Sequence, residues 1–207
     1  MSFREDFLAA TQAFVDQVER LPDGAWDGPA LGDWTLRELV GHTSSAMTSV
    51  VNAVSRRPPE LALDHASGYY ALRRTVDPSV YEAAVAAAAA GLVAETAALG
   101  TDPVSTVHEQ FAAARGALDA VADDEVVVAT AAGGMPLREW LPTRTFELAV
   151  HCLDIQAAAG VPADLPVDVQ NAGLTLAATT AVEVGDGPTV LRALTGRGPL
   201  PDGYSAL

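Results

Sequence analysis

Residues 137–160 read LREWLPTRTFELAVHCLDIQAAAG, and the spacing of ionisable side chains along this stretch decides how the chain is read. An α-helix turns by about 100° per residue. With Phe146 as origin, Glu147 falls at about 100°, His151 at about 140°, Asp154 at about 80° and Arg144 at about 160°. Val150 borders this stripe at about 40°, and Ile155 and Leu148 border it at about 180° and 200°. A solvated face would be edged by more charge and small polar groups. Ionisable residues flanked by aliphatic ones point instead into a core or cleft, where charges must be paired or bound to metal. Pro142 either kinks this helix or starts its main part, and Gly160 caps it.

The segments around this helix also read as helical. Ser2 and Glu5 form a capping box, followed by Phe3, Phe7, Ala10, Phe14 and Val18 at helical spacing, which predicts a helix over 3–21. Pro22, Asp23 and Gly24 end it, and residues 22–33 read as a loop around Trp26. Thr35 and Glu38 repeat the capping box and open a helix over 36–54, stopped by Arg56, Arg57, Pro58 and Pro59. Residues 60–77 read as a short helix or an ordered loop. Two Asp-Pro pairs, at 77–78 and 102–103, fit an N-cap followed by proline at the first helical position. The segments they open, reaching 99 and 121, form either one bent helix or an antiparallel pair. Val126, Val127 and Val128 predict a small strand or hairpin near 124–134, ending at Gly133-Gly134. A further helix is expected over 167–184, then a short extension over 185–207. With no repeat and no long linker, the expectation is one all-α domain over 1–207 with a bundle at its centre.

Composition narrows the function classes. Apolar residues make up 49% and charged residues 19%, the balance of a globular chain and not a disordered one. The formal net charge of −15 argues against nucleic acid and against an anionic membrane surface. Cys152 is the single cysteine, which excludes an internal disulfide framework and fits a reducing compartment. The N-terminus lacks the pattern of a signal peptide, and no apolar run approaches the ~18 residues of a membrane span. A cytoplasmic protein is expected.

Glu147 and His151, one turn apart, can both reach one metal ion. A third ligand must come from another helix, as in carboxylate bundles. His42 is the best candidate, because it falls about 60° outside Leu39, on the shoulder of its helix's apolar stripe. Two histidines and one carboxylate leave coordination positions open, as in catalytic zinc or non-haem iron sites. Other readings stand beside this one. An E-x-x-x-H pair alone is more often a surface contact, Arg144 and Glu147 also fit an i,i+3 ion pair, and a lone histidine is more often a hydrogen-bonded core residue. His65 and His108 have no acidic partner at ligand spacing and read as surface residues. Cys152 points about 100° away from His151 and reads as a core thiol.

Three segments, LGDWTLRELVGHT (31–43), RTFELAVHCLDIQAAAG (144–160) and LRALTGRGPLP (191–201), together resemble the DinB-like superfamily. Within it they resemble the actinobacterial family of mycothiol-dependent maleylpyruvate isomerase N-terminal domains. The resemblance rests on W-T-x-R-E-L-x-x-H at 34–42 and R-x-x-E-x-x-x-H-x-x-D at 144–154. It implies a four-helix bundle with a divalent metal, zinc first and iron or nickel as alternatives, on His42, Glu147 and His151. It also implies mycothiol as cosubstrate, its thiol activated by the metal to attack a small electrophile. Arg73, Arg74 and Arg144 are then the candidates for steering a carboxylated substrate. Asp154, as orienter of a ligand histidine, and Arg197 are assigned to the cofactor.

The isomerase of that family carries a longer C-terminal α/β region, and this sequence departs from it after LTGR. That favours a broader thiol transferase or isomerase over action on maleylpyruvate. A non-catalytic metal-binding regulatory bundle and a metal-dependent hydrolase are the competing readings. A homodimer is compatible with a bundle of this kind.

Overall fold

The computed structural model describes residues 2–56 and 60–206, leaving the side chains of residues 75, 78, 81 and 84 undescribed. Among the described residues there are eight helices and one two-stranded hairpin, an all-α fold. In order these are α1 (Phe3–Glu19), α2 (Leu36–Ser55), α3 (Ala66–Thr75), α4 (Pro78–Ala98), α5 (Pro103–Asp119), β1 (Val127–Thr130), β2 (Gly133–Pro136), α6 (Leu137–Ala159), α7 (Val167–Glu183) and α8 (Gly187–Leu194).

Both capping boxes form. Ser2 and Glu5 cap α1 reciprocally, and Thr35 and Glu38 do the same for α2. The stop expected at 57–59 lies outside the described residues; the cap of α2 is Arg56, in extended conformation. Four helices close a ring: α1 packs on α6, α6 on α2, α2 on α5 and α5 on α1. Phe7 and Phe14 of α1, Leu39 and Met47 of α2, Leu118 of α5 and Leu141, Leu148 and Ile155 of α6 fill it without exposure to solvent. The periodic apolar positions of the sequence are therefore the bundle core. Gln17, fully buried, donates from Nε2 to the carbonyls of Cys152 and Val161, tying α1 to the end of α6. Arg4 donates to the carbonyls of Leu118 and Val121, closing the C-terminal end of α5.

The two Asp-Pro helices are separate, and both α4 and α5 lie against α2. The chain breaks between them at Gly100, whose φ of 60° the helix cannot continue. Pro142 sits inside α6, which runs through it unbroken as one helix. The hairpin runs two residues past the expected end. Gly133-Gly134 begins β2, with Thr130 paired to Gly133 and Val127 to Pro136. The reason is a third segment: Leu61 bridges Gly134 in parallel, and the amides of Ala62 and Leu63 donate to the Gly134 carbonyl. A Cβ at 134 would overlap the Glu60 carbonyl, so only glycine admits this approach. From there the chain enters α3, which packs on α6 and α7. No helix among the described residues is long and apolar enough to cross a membrane.

Candidate metal centre

Ligand atoms of His42, Glu147 and His151 all lie within 4.8 Å of one another. Two helices deliver them. The Thr35 cap fixes the start of α2, so that His42 stands on its second turn facing α6. Its ring meets the edge of Trp34 at 5.1 Å between centroids and that of His151 at 5.1 Å. On α6, one helical turn brings His151 Nε2 to 3.4 Å from Glu147 Oε2. All three residues are partly buried at the seam between the helices.

Each histidine has a carboxylate on its Nδ1. His151 Nδ1 lies 3.0 Å from Asp154 Oδ2, and His42 Nδ1 lies 2.9 Å from Glu95 Oε2. A ring that donates from Nδ1 keeps Nε2 as the atom it can offer to a metal, and a carboxylate behind it raises its basicity. The Tyr70 hydroxyl donates to Glu147 Oε1 at 2.8 Å and lies 3.1 Å from the Thr143 carbonyl oxygen. Arg144 stacks its guanidinium over Tyr69 and Trp140, at 5.3 and 5.6 Å from the ring centroids, and donates from Nε to Thr143 Oγ1.

The electrostatics follow from this packing. Burial works to raise the Glu147 carboxyl, but His151, Arg144 and Tyr70 overcome it and hold the group at about 2. Burial likewise works against a charged His151, but its bonds to Asp154 and Glu147 push the ring up to about 9. Burial and the Glu147 charge raise the Tyr70 phenol well above its ordinary value, so it stays a neutral donor. Burial alone pushes the Cys152 thiol up to about 12. That thiol is fully buried and inert, as expected of a core residue. The trio is therefore an anion and a cation compressed into one seam, with a second imidazole beside them. Two imidazoles and a carboxylate suit zinc or iron(II), and three protein donors are fewer than either ion takes, so coordination positions would remain for exogenous ligands.

The other expected residues are placed differently. Asp154 backs His151. Arg144 neighbours Glu147 through Tyr69 and Tyr70. Arg73 is exposed on α3, one turn beyond Tyr70. Arg74 pairs with Asp186 at 2.9 Å, and Arg197 lies in the exposed tail, donating to the Thr195 carbonyl. His65 and His108 are half-exposed, as expected, but each has acidic partners: Asp64 and Glu183 for His65, Glu19 for His108. Sequence reasoning missed Glu95 and the Tyr70 hydroxyl, because neither shares a helix with the ligand it touches.

Two cavities lie near α6. One, of about 590 Å³, is an apolar groove against α7 lined by Phe146, Val150, Leu153 and Leu174. The other, of about 500 Å³, is more polar and lined by Asp6, Ser67, Thr145 and Asn171. Neither is lined by a member of the trio.

Comparison with curated proteins and with solved structures finds no match. The family described as mycothiol maleylpyruvate isomerase N-terminal domain matches residues 7–156, which hold all three trio residues and the ring of four helices except the first turn of α1 and the last residues of α6. With a family match over most of its length, this chain belongs to the mycothiol maleylpyruvate isomerase N-terminal domain family of the DinB-like superfamily.

Proposed function

We propose that the chain is a metal-dependent thiol transferase or isomerase that uses mycothiol, with the metal held by His42, Glu147 and His151. One observation carries this reading: two imidazoles and a carboxylate from α2 and α6 converge within 4.8 Å in a chain of a mycothiol-isomerase family. A divalent metal supplies Lewis acidity, holding a coordinated thiol as thiolate near neutral pH. Zinc is the native ion in this reading and the cytoplasm its compartment. Residues 1–207 act as one domain, with 185–207 as an appendage.

The chain's own residues have the following parts. Glu147 brings negative charge to the ion, and Tyr70 holds the carboxylate in place by donating to Oε1. Asp154 fixes the orientation of His151. Arg144, held over two aromatic rings, is the cation that draws a carboxylated electrophile to the seam; Arg73, one turn beyond Tyr70, is the outer one. Arg74 and Arg197 are the more distant candidates, on the substrate and cofactor sides respectively.

The test is metal analysis of the purified protein with calorimetric titration of mycothiol into wild type and His151→Ala. Stoichiometric metal and metal-dependent thiol binding, both lost in His151→Ala, are expected. Mycothiol binding that ignores the metal would overturn the reading.

A further inference from the structure

His151 finds its carboxylate locally, at Asp154 on the next turn of the same helix. His42 has no such option. The residues one turn away from it on α2 are Glu38, Leu39, Ser45 and Ala46. Leu39 and Ala46 are core, and Ser45 can offer no charge. Glu38 is consumed by the capping box, where Oε2 accepts from both the amide and the hydroxyl of Thr35. A carboxylate for His42 must therefore come from another helix, and α4 provides it through Glu95 at 2.9 Å.

How α4 comes close enough is visible at the residue before the histidine. A Cβ at Gly41 would stand 3.0 Å from the backbone N and Cα of Thr96 and 3.1 Å from the carbonyl carbon of Glu95. These distances are tighter than ordinary Cβ packing, so the missing side chain at 41 sets the approach of the two helices. The approach is centred on the peptide that joins Glu95 to Thr96. Elsewhere α4 is loosely held: among its described side chains only Leu92 is buried, followed by Leu99 at its cap. Arg37 of α2 adds a bond to the Gly100 carbonyl. The helix contributes little to the core and places one carboxylate.

We propose that Glu95 is the positioning residue for His42, delivered across the helix contact at Gly41. By accepting the Nδ1 proton it selects the tautomer that leaves Nε2 for the metal, and it fixes the ring against Trp34. The coupling is reciprocal: a metal on Nε2 makes Nδ1–H a stronger donor, so metal loading tightens the hold of α2 on α4. This inference rests on the metal-trio reading above.

The test uses the full chain with cobalt(II) as a spectroscopic probe and zinc in competition, on wild type, Glu95→Ala, Glu95→Gln, Gly41→Ala and His151→Ala. Circular dichroism checks that each variant is folded. Glu95→Ala is expected to weaken metal binding by about 10–100-fold. Glu95→Gln keeps an acceptor for Nδ1–H and should recover part of that loss. Gly41→Ala, which touches no ligand, should weaken binding in the same direction as Glu95→Ala. Zinc should slow amide exchange along α4 in wild type and leave it unchanged in Glu95→Ala; a tether with a merely structural role would show no zinc dependence. Equal cobalt(II) affinity in wild type and Glu95→Ala overturns the proposal while leaving the trio reading intact. Wild type that binds no cobalt(II), or His151→Ala that binds it normally, overturns the trio reading and this proposal with it.

Discussion

Metal affinity of this chain should climb with pH well beyond the range in which an ordinary histidine site has levelled off. The perturbation is pH alone. A ligand histidine must be neutral, yet the buried bonds to Asp154 and Glu147 push the His151 ring up to about 9 in the metal-free protein. Below that value the ring carries a proton that the metal has to displace, so each pH unit below it lowers apparent affinity about tenfold. At pH 7 roughly one ring in a hundred is neutral, a penalty of ~2.7 kcal/mol at ~1.36 kcal/mol per unit. A histidine at its ordinary 6.5 is mostly neutral at pH 7. Glu147, held at about 2, exchanges no proton in this range. Calorimetric titration of cobalt(II), in buffers of different ionisation enthalpy and in steps from pH 6 to pH 10, measures both affinity and protons released. The logarithm of the association constant should rise with unit slope from pH 7 to about pH 9 and then flatten, with about one proton released per metal at pH 7. Asp154→Asn, which removes one of the charges holding that proton, should move the break to lower pH. A flat profile between pH 7 and pH 9 with no proton release would refute this account of the seam.

Further outcomes follow from the same structure. Phe14 is fully buried at the bundle centre, and Phe14→Ala should cost ~3–5 kcal/mol in urea unfolding. Thr35→Ala removes one half of the capping box that starts α2 and should cost ~0.5–2 kcal/mol by the same measurement. His65 is raised above its ordinary 6.5 by its bonds to Glu183 and Asp64. Its contribution is complete below pH 6.5 and is lost as pH rises through the raised value. The melting-temperature gap between wild type and His65→Gln should therefore be widest near pH 5.5 and shrink on going alkaline. With half of that ring exposed, the effect stays under ~1 kcal/mol. Cys152 should react with a thiol reagent only when the chain unfolds, and rapid modification of the native protein would contradict its burial.

What could be read from the sequence was what a single helix encodes. The stripe Arg144–Glu147–His151–Asp154 is a matter of angular spacing, and the two capping boxes are contacts across three residues. Both appear in the structure where the spacing puts them. His42 was half legible: its shoulder position follows from the stripe of α2, but its direction toward α6 is a product of how the two helices pack. Glu95 and Tyr70 were not legible at all. Their partners lie on other helices, and what brings them in is the lack of a side chain at Gly41 and Gly134. A glycine inside a helical pattern reads locally as a weak point, so its use as a contact surface shows only in three dimensions. The same holds for the pair of Asp-Pro helices. Local signals start each one, but only the shape of α2 decides that both lie against it.

Gly134 also works as a spacer for the candidate metal centre, although it is no part of it. The segment 61–63 rests on its carbonyl, and three residues later α3 begins and carries Tyr70 to Glu147. The height at which the tyrosine meets the carboxylate is thus gauged by a backbone contact in the hairpin. Any side chain at 134, alanine included, would overlap the Glu60 carbonyl and push that segment off the hairpin. A change at a glycine of the hairpin would thus reach the phenol that holds a candidate metal ligand, through backbone alone.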